Sequence, residues 1–349
     1  MTKGRKDSFV PYAHALRIER AERLVTADSI LPTGVPFLDD AMGGLPRNAL
    51  VLLGAYTGTG KTQLVMHMAH FAAGHGKRVH FFALEAEPGE IQRRMKYQVV
   101  RDVAQAKGLG RGMNYVDWSF GRFDAELQAV EAEVSEYLAN AYSGLQTYYR
   151  RYSDFTPAWF RQVFDRIKDE TDLIIVDHLH YFDLDERSTE HQAMKECMKA
   201  IRDCSLITGK PVILVAHLRK KDRGSTVALP DLDDFHGTSD ITKIVTHAVV
   251  MAPGRASEVE QKQGLWPTFM RVAKFRPDMA RTRWMAVQRF NSSAQSYESG
   301  YDLARWYERL ETPEPINFRA DLPHWAKNAR GANRPIVPPP FEHRRANDD

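Results

Sequence analysis

The residues whose types and spacing carry the clearest chemistry lie in the run GAYTGTGKT, Gly54 to Thr62. Glycines at 58 and 60 let backbone N–H groups turn inward around phosphate oxygens, and a helix starting at the lysine adds the partial positive charge of its N-terminus. Gly54, Ala55, Tyr56, Thr57, Gly58, Thr59, Gly60, Lys61, Thr62 and Gln63 are therefore expected to surround the phosphates of ATP. Lys61 reaches the β- and γ-phosphates in such a loop, and Thr62 ligates Mg²⁺. The strict motif has glycine at position 55, where this chain carries alanine, with Gly54 one residue early. Asp177 closes the run TDLIIVDHL on the side of its apolar stretch where a carboxylate can hold Mg²⁺ through a coordinated water. Glu85 closes RVHFFALE and is the candidate base that orients and deprotonates the attacking water, with Glu87 and Glu90 as competitors. His217 closes KPVILVAHL, where a polar group can sense the γ-phosphate.

Such side chains need strands to end at one edge, and the chain supplies them. ALVLLGA, RVHFFALE, DLIIVDHL, KPVILVAHL and HAVVMAP are short, continuous and rich in valine, isoleucine and leucine, as strands buried on both faces are. Helical stretches fall between them, notably Gln63–Ala73, Thr156–Lys168 and Glu190–Leu206. The alternation predicts an α/β fold with a mostly parallel central sheet flanked by helices. Three regions follow: a helical arm over 1–28, with Ala13, Leu16, Ala21 and Leu24 on one arc; an ATPase core over 29–310; and an extended or disordered proline-rich tail over 311–349.

Composition narrows the function classes. The apolar fraction is 43%, no run of eighteen apolar residues exists, and the basic N-terminus is not followed by the apolar block of a secretory signal. A cytoplasmic location, away from membranes, is expected. Cys197 and Cys204 share helical spacing with Met194, Met198 and Ile201, which reads as a core helix. A net charge of +3 permits nucleic-acid binding without arguing for it, so that case rests on local charge.

In order along the chain, PTGVPFLDDAMGGLPRNALVLLGA, FFALEAEPGEIQRRM, IIVDHLHYF, VAHLRKKDRG, LPDLDDFHGTSDITKIVTHAVVMAP and VAKFR resemble the motifs of the RecA-like core of hexameric replicative DNA helicases of the DnaB type. The phage and mitochondrial forms look most similar, and an alanine at position 55 is common among them. The resemblance spans about Leu31 to Trp306. It implies Glu85 as base, Asp177 at the Mg²⁺, His217 as sensor, and Lys274 and Arg276 as a pair projecting into a neighbouring subunit's ATP site. A homohexameric ring is implied, with the N-terminal arm packing on the adjacent subunit and a primase or loader supplied as a separate chain.

Arg219, Lys220, Lys221 and Arg223 would line a channel for single-stranded DNA, and Gly237, Thr238 and Lys243 fall in the second channel-loop region. The acidic Asp231, Asp233 and Asp234 depart from members that carry arginine there. The reading favoured is an ATP-driven ring helicase translocating on single-stranded DNA in replication, in the nucleoid or a phage-infected cell. The alternatives are a recombination ATPase of the same fold and an ATP-controlled assembly protein without unwinding activity.

Overall fold

A computed structural model describes residues 10–149, 155–179, 190–218, 229–235, 242–305, 314–315 and 321–330. Within them a single sheet holds eleven strands. Helix α1 (Tyr12–Ser29) and α2 (Pro36–Met42) precede β1 (Leu50–Ala55), which runs through the loop 56–60 into α3 (Lys61–Gly74). Then come β2 (Val79–Ala83), α4 (Glu90–Ala106), α5 (Tyr115–Ser119), α6 (Ala125–Ala141), β3 (Leu145–Tyr149), α7 (Pro157–Ile167), β4 (Leu173–Asp177), α8 (Glu190–Thr208) and β5 (Val212–His217). The remainder is β6 (His247–Pro253), α9 (Glu258–Lys262), β7 (Leu265–Phe275), β8 (Trp284–Asn291), β9 (Ser296–Arg305), β10 (Glu314–Pro315) and β11 (Ala329–Arg330).

The strand order is β10-β9-β8-β7-β6-β1-β5-β4-β2-β3, with β11 on β9. From β3 to β6 every pairing is parallel, and from β6 to β10 every pairing is antiparallel. The parallel half matches the strands expected from their apolar runs, and it gains β3, whose half-exposed LQTYY lacks such a run. The antiparallel half adds strands that the apolar runs do not announce. Its longest, β7, carries Thr268, Arg271 and Lys274 among apolar residues, which hides the buried run.

Alternation along the parallel strands divides the interior in two. Val51, Leu53, Ile175, Ile213 and Val215 face α3, whose Leu64, Val65, Met68 and Ala72 complete one core. Leu50, Leu52, Ile174, Val176, Val212 and Leu214 face the other way, onto Phe160 and Phe164 of α7 and Met198 and Ile201 of α8. Cys197 and Cys204 are buried in that second core as free thiols. Each fully buried aliphatic or aromatic side chain contributes roughly 1.5–3 kcal/mol, so the strands that carry the site are anchored from both faces. Local signals set the helix starts: Asp124 and Thr156 cap α6 and α7 through their side chains, and Pro157 takes the first position of α7.

Helix α1 leaves Leu16, Ile18, Leu24 and Val25 exposed, two of them from the expected arc. At the other end, the described residues beyond 311 are tied to the sheet. Glu314 and Pro315 pair with β9, β11 pairs with β9 in parallel, and Trp325, Ala326 and Ala329 are buried in the first core.

One glycine governs the root of the phosphate loop. A Cβ on Gly54 would lie 2.3 Å from Cε1 and 2.5 Å from Cζ of Phe235, a fully buried ring, and 2.7 Å from Cδ2 of Leu218. Leu218 and Phe235 are themselves joined by an antiparallel bridge. Gly54→Ala is therefore expected to destabilise the fold by about 1–3 kcal/mol through overpacking. Measured by denaturant midpoint, that loss shrinks when Phe235→Leu is added; strictly additive effects would refute the contact as its cause.

Candidate functional site

Four neighbouring parallel strands, in the order β2-β4-β5-β1, bring their C-terminal ends to one edge of the sheet. In open α/β sheets that edge is where ligands bind. The register aligns the ends: Ala83 lies opposite Asp177, and Ala55 opposite His217. Glu85 follows β2 by two residues, beyond a bond from the Leu84 N–H to the Asp177 carbonyl (2.7 Å). The phosphate loop, Glu85, Asp177 and His217, scattered between positions 54 and 217 of the chain, thus meet within a few strand spacings.

The loop has the backbone its glycines permit. Gly58 and Gly60 adopt φ of 82° and 93°, in the left-handed region that side chains disfavour. Gly60 caps α3 without a side-chain bond, so the first N–H groups of the helix stay open toward the loop. Lys61 is buried and its Nζ donates to the carbonyls of Ala55 (3.3 Å) and Tyr56 (3.2 Å). Burial pulls its pKa down, against the attraction of Asp177 and Glu85. Two expected phosphate neighbours turn their side chains elsewhere. Gln63 donates to the Gln295 carbonyl (2.9 Å) and accepts from Arg94 (3.2 Å), leaving its backbone N–H for a ligand. Tyr56 packs on the second core, and burial, with Asp234 nearby, pushes its phenol up to about 12.

Asp177 is 2% exposed, and its carboxyl is pushed up to about 6, chiefly by burial and then by Glu85, against a hydrogen bond from Thr62 and the charge of Lys61. Its Oδ1 is buried without a hydrogen-bond partner among the described residues. A desolvated carboxylate oxygen beside a threonine hydroxyl is the donor set a hard divalent cation takes, so Asp177 and Thr62 fit Mg²⁺.

The glutamates separate clearly. Glu90 pairs with Arg94 (2.9 Å) and accepts from the Glu87 N–H (3.3 Å), which spends it on the start of α4. Glu85 points into the site, with Oε2 3.1 Å from Nε2 of His178. No motif singles out His178, although it directly follows Asp177. It is buried, and its Nε2 also lies 3.0 Å from Nε2 of His217.

Lys274 and Arg276 sit at the opposite end of the sheet. Phe275 pairs with His247 and His247 with Val51, near the start of β1 rather than at its loop end. There Lys274 Nζ donates to the Thr242 carbonyl (2.5 Å) and Arg276 to the Lys243 carbonyl (3.2 Å). Burial and the two cations push His247 down to about 4, and burial and Arg276 lower Lys274 and Arg202. Lys243 thus lies beside Arg276, whereas the basic run that begins at Arg219 follows β5 at its His217 end. Arg219, Lys220, Lys221, Arg223, Gly237 and Thr238 lie outside the described residues.

A phosphate loop leading from β1 into α3, with an acidic strand end two strands away in this parallel order, defines a P-loop ATPase of the RecA-like architecture. Two kinds of comparison bear this out. The family model described as the DnaB-like helicase C-terminal domain matches residues 31–277, and the chain belongs to that family. It is accordingly an ATP-hydrolysing enzyme of the helicase class. Among solved structures, that of a DnaB-like replicative helicase, described together with its interactions with primase, is similar with a TM-score of 0.64 at 14% identity, over 84% of this chain and 68% of that one. A second, described as an ATPase domain, gives 0.64 at 14%, over 83% of this chain and 99% of that one. A KaiC-like protein from Pyrococcus horikoshii gives 0.51 at 15%, over 77% and 97%. No curated protein matches the chain. No helix among the described residues is long and apolar enough to cross a membrane.

Proposed function

We propose that this chain is the motor subunit of a ring that couples ATP hydrolysis to travel along single-stranded DNA and so unwinds duplex DNA in replication. The observation that supports this reading most directly is the meeting of Lys61, Thr62, Asp177, Glu85 and His217 at the ends of four adjacent strands of a DnaB-family domain. When ATP enters, Lys61 leaves the loop carbonyls for the β- and γ-phosphates, the open N–H groups of α3 hold phosphate oxygens, and Glu85 takes the proton of the attacking water. Mg²⁺, held by Thr62 and through a water by Asp177, would neutralise charge on the phosphates. Arg276 and Lys274 do not serve the site of their own chain, because the length of β1 separates the two ends of the sheet. They act on a neighbour's nucleotide, which makes an oligomer, six subunits in the simplest ring, part of the mechanism. Residues 1–28 supply the arm that packs on the adjacent subunit, and the basic run Arg219–Arg223 with Gly237 and Thr238 contacts the DNA. A primase or loader is a partner from outside the chain.

Single-stranded DNA is expected to raise the rate of ATP hydrolysis at least several-fold, and forked duplex to be unwound only with hydrolysable nucleotide. An ATPase rate indifferent to single-stranded DNA would remove the motor reading and leave a nucleotide-controlled assembly protein. DNA-stimulated hydrolysis without unwinding would favour the recombination reading.

A further inference from the structure

His178 stands between the two groups that the proposed mechanism keeps apart, the base and the sensor. One atom of it, Nε2, faces both: Glu85 Oε2 at 3.1 Å and His217 Nε2 at 3.0 Å. The His178 and His217 rings meet edge to face, with centroids 4.3 Å apart and planes at 80°. The His178 side chain is 3% exposed, whereas that of Glu85 is 45% exposed, so the histidine is held while the carboxylate can move.

Three atoms that all carry lone pairs can meet at these distances only with a proton or a metal ion among them. A proton suffices, because a neutral imidazole bears one N–H. If His178 accepted a proton from His217, its own lone pair would face the Glu85 carboxylate. The arrangement that satisfies an ionised Glu85 places the hydrogen on His178 Nε2, shared between the Glu85 oxygen and a lone pair on His217. His217 then carries its own hydrogen on Nδ1.

We propose that His178 is a positioning residue that reports the state of His217 to Glu85. While His217 accepts from it, the His178 N–H is divided between two partners and holds Glu85 weakly. When His217 turns to donate its N–H to a γ-phosphate oxygen, the His178 N–H passes wholly to Glu85 Oε2. That fixes one carboxylate oxygen and leaves the other for the attacking water. No proton changes owner; only the acceptor of one hydrogen bond does. The inference rests on the reading of Glu85 as base and His217 as sensor.

The test is steady-state ATP hydrolysis by His178→Ala, His178→Gln, His217→Ala and the double alanine variant, with binding of a non-hydrolysable triphosphate measured alongside. Misplacing a reacting group by about 1 Å costs up to about 10²-fold. His178→Ala is expected to lower kcat by that factor while triphosphate affinity stays within about twofold, the split that separates positioning from binding. Glutamine offers a donor near the place of Nε2 and should recover much of the rate. The double variant should be little slower than the slower single one, because two members of one relay do not lose independently. The inference is overturned if kcat of His178→Ala stays within about twofold of the parent, if glutamine recovers nothing in a protein of unchanged melting temperature, or if the two alanine effects multiply. Zinc that co-purifies with the parent and is lost from His178→Ala would place a metal ion among the three groups, and overturns it as well. A parent protein whose hydrolysis survives Glu85→Gln would instead overturn the underlying reading of the base.

Discussion

Replacing Arg276 by alanine is expected to lower ATP turnover by about 10³-fold or more while ATP still binds, since a guanidinium that meets the departing γ-phosphoryl group is worth about 10³–10⁵ in rate. The geometry gives the reason that binding survives. Arg276 follows Phe275, which pairs with His247 opposite Val51, so it lies at the start of β1 while the phosphate loop leaves from its far end at Ala55. Four further residues of strand, at about 3.3 Å each, put ~13 Å between those levels. Arg276 is therefore expected to contribute nothing to the nucleotide held by its own chain. Lys61→Ala should fail differently, because its ammonium is buried inside the loop that holds the phosphates. Mixing the two inactive variants should restore some turnover, at junctions where an intact loop faces an intact arginine. Activity of the parent should also fall on dilution through the dissociation of the oligomer. Full turnover by a monomer in the ultracentrifuge, or loss of ATP binding in Arg276→Ala, would contradict the assignment.

Asp177→Asn is expected to abolish Mg²⁺-dependent hydrolysis and, at pH 7.5 without nucleotide, to make the protein melt higher. Burial pushes the Asp177 carboxyl up to about 6 from an ordinary 3.8. A carboxyl that binds its proton more tightly when folded makes the fold less stable as pH rises. The loss begins above about 3.8, is complete above about 6, and is absent below both values. The gap corresponds to ~3 kcal/mol at most, and asparagine, which stays neutral, escapes it. At roughly 2 °C per kcal/mol for a chain of this size, the variant should melt above the parent at pH 7.5, by up to about 6 °C, and the difference should close as pH falls from about 6 toward about 4. Mg²⁺ with ATP should raise the melting temperature of the parent more than that of the variant. If Asp177→Asn melts below the parent at neutral pH, the carboxylate is stabilised in the fold by more than Thr62 and Lys61, and burial does not decide its effect on stability.

The phosphate end of the sheet holds charge where the fold alone would not. Lys61 and Asp177 are buried close enough to influence one another, yet burial dominates the pKa of each. At the other end of the sheet, burial and the neighbouring Arg276 lower Lys274. A triphosphate with its cation at one end, and a neighbour's γ-phosphate at the other, would relieve both. Nucleotide is then expected to strengthen the contact between subunits as well as each subunit's own fold.

Much of this is legible in the sequence because it is local. The strands β1, β2, β4, β5 and β6 are short, mostly apolar runs buried on both faces, and a run needs no partner to be recognised. The phosphate loop is likewise legible, since its glycines and lysine act on the chain's own next turn. What sequence does not decide is what depends on which strands become neighbours. β3 is half-exposed, and β7 interrupts its apolar residues with polar ones, so neither declares itself. Trp325 and Ala329 enter the core from a segment whose prolines read as tail. Register alone sends Arg276 to the end of the sheet away from its own phosphate loop. Strand order alone brings β4 between β2 and β5, and with it His178 between Glu85 and His217. Backbone continuity sets which residues the phosphate loop contains; contacts between Glu85, His178 and His217 exist only once three distant strands pair.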